Sequence, residues 1–383
     1  MGMRQAPPVI TGHAFSTIED IDRGAWNDCF PAELEDWDYY RAVEQAGIAD
    51  FQWRYLVLYE HQSVVAAAVV FTTAYSLDTT VQGLGKRICE RLRRWRPGLL
   101  DIPLYALGSP VSERCHAGTA RHIEPARRPA LLGQLLNLAR DDADQAGIGL
   151  MAVKDASDRD PQWLQACHDA GLQSMPGLPG AELPIRFASL DAYLDTLGKS
   201  TRKDLRRTLR TQGPRIEWRR QVEDLLPVMM PLYESTLNRS DLTFERLPPA
   251  YFSQVLEQLD ERAACVLYWL DGELVAFNLV LLDDQQMVDK FFAHDLDRTR
   301  EHNLYRRSWL ANVDYCIEHG LTIYASGQAG YAGKLRLGCS FTANTVFFRH
   351  RNRWLNGLLR GLKVFIRPDR SDPAMAAAIS ETR

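Results

Sequence analysis

The stretch IYASGQAGYAGKLRLGCSFTANTVFFRHRN, from Ile323 to Asn352, decides the fold of this chain. The β-rich run LTIYAS leads into it and predicts a strand, which the following glycines end. A short helix is predicted from about Ala329 to Leu337, and a further strand from Phe341 to Arg349. A strand, a glycine turn, a short helix and a strand in this order are typical of an α/β domain.

The glycines of this stretch run as G-x-x-G-x-x-G-K from Gly327, a spacing that is superficially like a phosphate-binding loop. The motif fails, because Gln328 stands where that loop needs glycine and Leu335 where it needs serine or threonine. We therefore interpret the glycines as positions that allow a bound substrate to approach the backbone closely.

The segments before this stretch predict the rest of one domain. CVLYWLDGELVAFNLVLL, Cys265–Leu282, reads as a hairpin, since Asp-Gly between two apolar runs is a strong turn signal. A strand is predicted from Gln286 to Asp295 and a long helix from Arg298 to His319. Two further helices are predicted, at Asp224–Asn238 and Pro249–Leu259.

The first half of the chain repeats that order of elements. A helical segment is predicted at Trp26–Ala46, and a hairpin that turns at His61-Gln62 lies in Tyr55–Phe71. The later elements are a leucine-striped helix, a strand and a short helix, at Pro129–Ala146, Gly149–Asp155 and Pro161–Ala170. The shared order predicts an internal duplication; the alternative is chance similarity between two α/β domains.

Domain boundaries follow from composition. Met175–Pro184 holds three prolines and two glycines, and reads either as a linker or as an edge strand that enters the second half. We predict a first unit over 1–183, a second unit with the active site over 184–352, and a basic amphipathic helix with a disordered tail over 353–383.

Bulk composition excludes several classes of protein. The 383 residues carry a net charge of −4, which argues against a nucleic-acid binder by overall charge and against a DNA partner. The seven cysteines are scattered without zinc spacing, so no metal is expected, and they suit a reducing cytoplasm. No signal peptide and no apolar membrane-spanning window are recognised, so we predict a cytoplasmic protein.

Three segments of the second half resemble the GNAT acyltransferase superfamily, and more closely its tandem FemAB/CelD-like branch. They are a basic helix, a long helix, and the strand–glycine–lysine stretch already quoted, at Tyr193–Arg210, His302–Gly320 and Ile323–Asn352. The resemblance implies two GNAT-like units, each a mixed, mostly antiparallel twisted sheet flanked by helices. The first half matches this branch by order of elements alone.

The resemblance implies acyl-CoA or acetyl-CoA as co-substrate, without a metal. It places this carrier along the strand and the start of the long helix, beside Ala293, Asn303, Leu304, Tyr305 and Arg306. One departure concerns the pyrophosphate turn R/Q-x-x-G-x-G/A of ordinary GNAT enzymes, because DLDRTREHNLY (Asp295–Tyr305) contains no glycine. Members of the tandem branch often lack this turn, and some use aminoacyl-tRNA as donor.

Acyl transfer to an amine needs a base, an N–H group for the oxyanion and an acid for the leaving group. Strict alternation in VDKFFAHD places Asp289 and His294 on opposite faces of their strand, so only one of them can face the substrate as the base. Tyr331, in the first turn of the short helix, matches the position of a GNAT tyrosine acid. The alternatives are structural roles for all three, and Tyr324 reads as a core residue.

Substrate contacts are predicted at Gln328 and Lys334 in the glycine run, and at Arg202 and Arg206 on the basic helix. The five cations between Arg202 and Arg210 repel one another unless an anion lies beside them. The candidates are a coenzyme A phosphate, a tRNA backbone, an anionic lipid surface, or acidic side chains of this protein. A solvated basic face and a surface lysine are the simpler interpretations.

Two further basic stretches have amphipathic spacing, at Gly85–Gly98 and Arg351–Pro368. Basic amphipathic helices with tryptophan suit the surface of an anionic membrane, and packing onto the body of the protein is the alternative.

These observations predict an N-acyltransferase that moves a group other than an aminoacyl group from acyl-CoA, or a similar carrier, to an amine of a small molecule, peptide or lipid. A FemAB-type transferase that uses aminoacyl-tRNA is one alternative. A catalytically inactive GNAT scaffold that binds at an anionic membrane surface is the other, since a fold alone never establishes an activity.

Overall fold

The computed structural model describes residues 9–76, 101–239, 244–296, 298 and 302–362. They divide into two compact units. The first contains the described residues up to Arg41, from Asp50 to Leu178 and from Ala343 to Leu362; the second contains Ala42–Ala49 and the described residues of Pro179–Thr342.

The first unit contains these strands and helices, numbered along the whole chain: β1 (Ile10–Phe15), α1 (Arg23–Cys29), α2 (Trp37–Ala46, grouped with the second unit from Ala42), β2 (Gln52–Glu60), β3 (Ser63–Ser76), β4 (Asp101–Leu107), β5 (Ala117–Thr119), α3 (Arg128–Gln145), β6 (Leu150–Ser157), α4 (Pro161–Asp169), β7 (Gln173–Pro176), β15 (Asn344–His350) and α11 (Arg353–Leu362).

The second unit contains β8 (Gly180–Pro184), α5 (Leu190–Thr196), α6 (Lys199–Arg210), β9 (Arg215–Arg219), α7 (Leu226–Leu237), α8 (Pro249–Leu259), β10 (Ala263–Leu270), β11 (Glu273–Leu282), β12 (Gln286–His294), α9 (Leu304–Glu318), β13 (Ile323–Gly327), α10 (Tyr331–Arg336) and β14 (Ser340–Thr342).

Both sheets are mixed and mostly antiparallel, as predicted. The first has the strand order β1-β2-β3-β4-β6-β15-β7, with β5 pairing β3, and the second has the order β9-β10-β11-β12-β13-β8-β14. Each contains a parallel pair at the same place, β4 with β6 and β12 with β13. The core of the first unit includes the predicted leucine stripe of α3, with Leu131, Leu132, Leu135 and Leu136 buried. The predicted fold class is confirmed.

The sixth strand of each sheet comes from a distant part of the chain. The first sheet takes β15, which pairs with β6 and β7, and the second takes β8, which pairs with β13 and β14. The units therefore differ from the boundaries expected at 183/184 and 352/353. Sequence order does not reveal this, because β7–β8 and β14–β15 each read as one extended run.

The two central hairpins are built alike. Each turns through two residues with positive φ, His61-Gln62 in one and Asp271-Gly272 in the other, as a type I′ turn requires. Two residue pairs beyond the turn each ladder shifts register, because Val65 in one hairpin and Val275 in the other is left out of the pairing. A shared turn and a shared bulge support the tandem duplication predicted from the order of elements.

Three predicted elements are shorter or divided. The segment Trp26–Ala46 is not one helix: α1 ends at Cys29, and Phe30 precedes a proline, which disfavours helical backbone. The long helix begins at Leu304 rather than Arg298, because Asn303 has left-handed backbone with φ 51°. The predicted strand Phe341–Arg349 divides between β14 and β15, and the stretch Met175–Pro184 contributes to β7 and β8.

Within the described part of the chain, no helix combines the length and apolarity needed to cross a membrane. The six described cysteines are free thiols. The predicted basic helix at Gly85–Gly98 lies outside the described residues.

Candidate functional site

A cleft opens in the second sheet where its parallel strands diverge. β12 and β13 pair only over Gln286–Val288 and Ile323–Ala325, although β12 continues to His294. In the first unit the equivalent strand β4 stays paired with β6 as far as its last residue, Leu107. As far as the strands are described, the second sheet therefore leaves the edge of β12 open for a ligand, and the first sheet does not leave the edge of β4 open.

A β-bulge lies at the same point on the other edge of β12. Val280 of β11 pairs with Asp289, whereas the next residue, Leu279, pairs with Phe291, so Lys290 is the extra residue. Neighbouring residues of β11 point to opposite faces, and so do their partners. The bulge therefore places Asp289 and His294 on the same face of the sheet.

The sequence expectation that these two side chains face opposite ways is thus wrong. Strict alternation fails here because one residue of β12 is left out of the ladder. Side-chain contacts agree: Asp289 meets Asn278, which pairs with Phe292, and the Phe292 ring packs beside His294. On the opposite face, Phe291 packs against Tyr233 of α7.

Asp289 belongs to a hydrogen-bond network at the base of the cleft. The amide Nδ2 of Asn278 donates to its Oδ1 at 2.6 Å, and the hydroxyl of Tyr324 donates to its Oδ2 at 2.9 Å. Asn312 of α9 in turn donates to Asn278 Oδ1 at 2.8 Å and to the Tyr324 hydroxyl at 3.0 Å. Both carboxylate oxygens are thereby held in one orientation by buried side chains.

The surroundings of Asp289 raise the pKa of its carboxyl, because burial disfavours the charge more than the bonds from Asn278 and Tyr324 favour it. Burial, together with the neighbouring Asp289 carboxylate, raises the pKa of Tyr324 well above its ordinary value. A carboxylate with a raised pKa is a stronger base than an exposed one, which suits general-base chemistry. The tyrosine hydroxyl remains the donor of the pair.

His294 ends the same strand. Its backbone N–H donates to Thr236 Oγ1 of α7 at 3.1 Å, and its carbonyl accepts from the Arg239 guanidinium at 3.1 Å. Burial and the charge of Arg239 lower the pKa of the His294 imidazole. The ring is therefore neutral at neutral pH, the form that can accept a proton.

The backbone of β12 offers one N–H group to the cleft. Asp295 donates to Val275 O of β11 at 2.8 Å, so by the alternation of an antiparallel ladder Ala293 also directs its N–H to β11. The N–H and carbonyl of Phe292 then point to the open edge. The expected contact of a carrier with Ala293 is better assigned to its neighbour, Phe292.

The other expected carrier contacts lie at the start of α9. Asn303 precedes the helix, Leu304 is fully buried, and Tyr305 is 39% exposed, with its ring 6.1 Å from that of Phe292. Arg306 lies 3.5 Å from Asp204 of α6. Tyr305 and Arg306 are thus accessible here, whereas the Leu304 side chain packs in the core. Part of the preceding segment, residues 297 and 299–301, lies outside the described residues.

Two predicted site residues of the glycine run, Tyr331 and Lys334, make contacts within the protein. Tyr331 is buried and its hydroxyl donates to Pro179 O at 3.1 Å, which supports the packing alternative over an acid. Lys334 is not a surface lysine: it is 4% exposed, and its Nζ donates to Ser326 O and, at 2.8 Å, to Gly327 O. It therefore holds the end of β13. Gln328 is half-buried just beyond that strand.

Arg202 and Arg206 of α6 meet acidic side chains of the same unit. Arg206 binds Asp195 at 2.9 Å, and Arg202 lies 3.7 Å from the same carboxylate. For these two of the five cations between Arg202 and Arg210, the neighbouring anion is therefore an acidic side chain of the protein itself. Lys203, Arg207 and Arg210 are exposed and form no ion pair with any described residue.

The described residues suit an extended organic arm better than an ion. No group of three or more His, Cys, Asp or Glu side chains in this part of the chain could hold a metal. The open edge of β12 supplies a backbone donor and acceptor at Phe292 for an arm such as that of coenzyme A, in the manner of an added strand. When bound, such a carrier presents an activated acyl carbonyl.

Sequence reasoning missed Asn278 and Asn312, and it assigned Tyr324 to the core without its bond to Asp289. A signal was present: each asparagine stands alone inside an apolar pattern, in ELVAFNLVLL and SWLANVDYC. A buried amide needs partners, so such positions predict a polar network.

Comparisons with known proteins concern the fold. Residues 199–334 match the acetyltransferase (GNAT) domain family. The chain is similar to the crystal structure of FemX, at 13% identity and a TM-score of 0.58, over 90% of this chain and 99% of that one. It is also similar to a tandem GNAT protein from the clavulanic acid biosynthesis pathway, at 12% identity and a TM-score of 0.52, over 90% and 99% of the chains.

A third similar structure is the C-terminal domain of a putative lysylphosphatidylglycerol synthetase from Agrobacterium fabrum, at 16% identity and a TM-score of 0.52, over 90% of this chain and 95% of that one. No curated protein matches the sequence. At identities of 12–16%, the similarity to these structures shows the fold alone. Residues 199–334 thus match a GNAT acetyltransferase domain, and the predicted resemblance to the tandem FemAB-like branch of the GNAT superfamily is confirmed.

Proposed function

We propose that this protein is an N-acyltransferase that transfers an acyl group from a carrier to an amine in the cleft of its second unit. One observation carries the proposal: Asp289, held on both oxygens by Asn278 and Tyr324, lies where β12 and β13 separate. The first unit has neither this separation nor a bulge in β4.

The proposed reaction uses groups of β12. The amine nitrogen attacks the acyl carbonyl carbon as a base takes its proton, and the bond from that carbon to the carrier's sulfur or oxygen then breaks. Asp289 and His294 lie on the same face of β12, and one of them serves as the base. The Phe292 N–H, on the strand that precedes the long helix, stabilises the oxyanion. The protonated base then returns this proton to the sulfur or oxygen of the leaving carrier. The hydroxyl of Tyr331, the residue predicted from the sequence as this acid, donates to Pro179 O instead.

The proposed donor is acyl-CoA or acetyl-CoA, supported by the match to the GNAT domain and by the open edge of β12. Excluding aminoacyl groups, as the sequence expectation did, is not supported. The chain has the same TM-score of 0.52 to a tandem GNAT protein and to a domain named for lysylphosphatidylglycerol synthesis. The fold therefore leaves an aminoacyl group, with tRNA as its carrier, as the second candidate.

One observation supports an anionic carrier, either tRNA or coenzyme A. Lys203, Arg207 and Arg210 form an exposed cationic face on α6 without ion pairs to described residues. Phosphates of a tRNA, or those of coenzyme A, are anions that such a face attracts. The acceptor is an amine of a small molecule, peptide or lipid, and the cytoplasmic location stays a prediction. An inactive GNAT scaffold is the remaining alternative.

The first experiment measures thiol release from acetyl-CoA and longer acyl-CoAs with a panel of amines. We expect turnover by the unmodified protein. Asp289→Asn and His294→Gln are then tested singly. The variant that loses about 10²–10⁴-fold in kcat identifies the base. Tyr331→Phe is the matched control for the packing role and should retain most of the activity. Full activity in both base variants would contradict the proposed site.

The second experiment separates the donors. A gel shift with charged tRNA at low salt should detect binding if tRNA carries the acyl group, and binding should weaken when Lys203, Arg207 and Arg210 become glutamine. Arg186→Gln, at an exposed loop position, is the control. Absence of a shift removes the tRNA candidate. Absence of both tRNA binding and acyl-CoA turnover favours the inactive scaffold.

A further inference from the structure

Among the described residues, the helix α11 has an apolar face that no other element covers. Trp354 is 88% exposed, Leu358 is 59% exposed and Leu355 is 44% exposed. At helical spacing these three side chains lie on one side. A largely exposed tryptophan next to two exposed leucines is an apolar patch that a soluble surface rarely shows without a partner.

The opposite side of α11 is polar and basic. Arg353 and Arg360 lie there with Asn356, separated from the apolar side chains by Gly357 and Gly361. The sequence from Asn344 to Pro368 contains six arginines or lysines and no acidic residue. Arg351 lies 3.9 Å from Asp144, whereas Arg353 and Arg360 form no ion pair with a described residue, so the apolar patch is flanked by positive charge.

Polar bonds fix how this helix is presented. Trp354 N donates to Asn352 Oδ1 at 2.9 Å, which caps the first turn. Asn356 then ties the helix to the body of the first unit: its Oδ1 accepts from His350 N at 3.0 Å, and its carbonyl accepts from Gln173 Nε2 at 3.1 Å. The helix is anchored by its polar edge, so Trp354 and Leu358 face outward.

We propose that α11 is a docking helix for an anionic lipid surface. Tryptophan and leucine enter the boundary between headgroups and acyl chains, while Arg353 and Arg360 meet the headgroup phosphates. The lack of acidic residues decides between partners, since positive charge around an apolar patch complements an anionic bilayer. This docking does not depend on acyl transfer, because α11 belongs to the first unit and the cleft to the second.

The test is co-sedimentation of the full chain with vesicles. We expect binding to vesicles of phosphatidylglycerol and phosphatidylcholine in equal parts, little binding to phosphatidylcholine alone, and weaker binding as salt increases. Equal binding to both vesicle types, or to neither, would overturn the proposal.

Two pairs of variants locate the contact. Trp354→Ser with Leu358→Ser should weaken vesicle binding about tenfold or more, and Val228→Ser, at a 50% exposed apolar position of α7, should not. Arg353→Gln with Arg360→Gln should weaken it about fivefold for each arginine, and Arg186→Gln should not. Circular dichroism checks folding. If the α11 variants bind vesicles normally, or if they instead dissociate a dimer in light scattering, the helix binds something other than lipid.

Discussion

Replacing Tyr324 by phenylalanine tests the Asp289 network most sharply, because it removes a single hydroxyl. That hydroxyl donates to Asp289 Oδ2 at 2.9 Å and accepts from Asn312 Nδ2 at 3.0 Å. A hydrogen bond to a charged group contributes about 1.5–3 kcal/mol, against about 1 kcal/mol for a neutral one. The variant should therefore lose about 1 kcal/mol of stability when Asp289 is protonated and about 2–3 kcal/mol when it is ionised.

The way in which this loss of stability changes with pH follows from the raised pKa of Asp289. The folded state keeps this proton to a higher pH than the unfolded chain, so the resulting stability is complete below the unfolded pKa and is lost as pH rises through the folded value. Without the Tyr324 hydroxyl, the ionised carboxylate loses a donor and the pKa of Asp289 rises further. The extra loss of stability in the variant must then grow with pH.

Urea unfolding from about pH 4 to about pH 8 measures this difference. Tyr193→Phe is the matched control, because the buried Tyr193 hydroxyl donates to Leu337 O at 2.9 Å and accepts from Trp309 Nε1 at 2.8 Å, without a carboxylate. Its loss of about 1–2 kcal/mol should not vary with pH. A loss in Tyr324→Phe that is equally constant would refute the account of Asp289.

Two further predictions concern stability. Lys334→Met leaves two carbonyls at the end of β13 without their donor and should cost about 2–4 kcal/mol in urea unfolding, whereas Arg336→Met on the exposed side of α10 should cost less than about 0.5 kcal/mol. A small effect of Lys334→Met would contradict a structural role for that lysine. Gly118→Ala brings a Cβ within 2.2 Å of Cys29 O and should cost about 1–3 kcal/mol or more, while Gly133→Ala, with open space around its Cβ, should stabilise α3 by about 0.5–1 kcal/mol. Equal melting temperatures for these two glycine variants would contradict the close packing at Gly118.

The order of elements could be predicted from the sequence because it depends on local patterns. Asp271-Gly272 marks a type I′ turn, and the leucines of α3 repeat at helical spacing. The exchange of β8 and β15 between sheets depends on pairings between distant segments, for which a single sequence carries no signal. The same holds for the division of one extended run at Ala343.

The geometry of the candidate site could not be predicted from the sequence. Asp289 and His294 lie on one strand, β12, as predicted, but the bulge at Lys290 reverses their relative orientation. A bulge is a property of the ladder with β11, and one strand read alone gives no evidence of it. Lys334 was predicted to contact substrate because it matches the lysine of the FemAB/CelD-like pattern. In the structure its Nζ donates to two carbonyls of β13, which only the folded turn brings near.

The central claim is that an acyl carrier lies along the open edge of β12 in the second unit. The most direct measurement is a crystal structure of the protein with acetyl-CoA bound. We predict that the extended arm of the carrier pairs with the N–H and carbonyl of Phe292, with its acyl carbonyl on the face that holds Asp289 and His294. A carrier bound in the first unit, or on the opposite face beside Phe291, would contradict the claim.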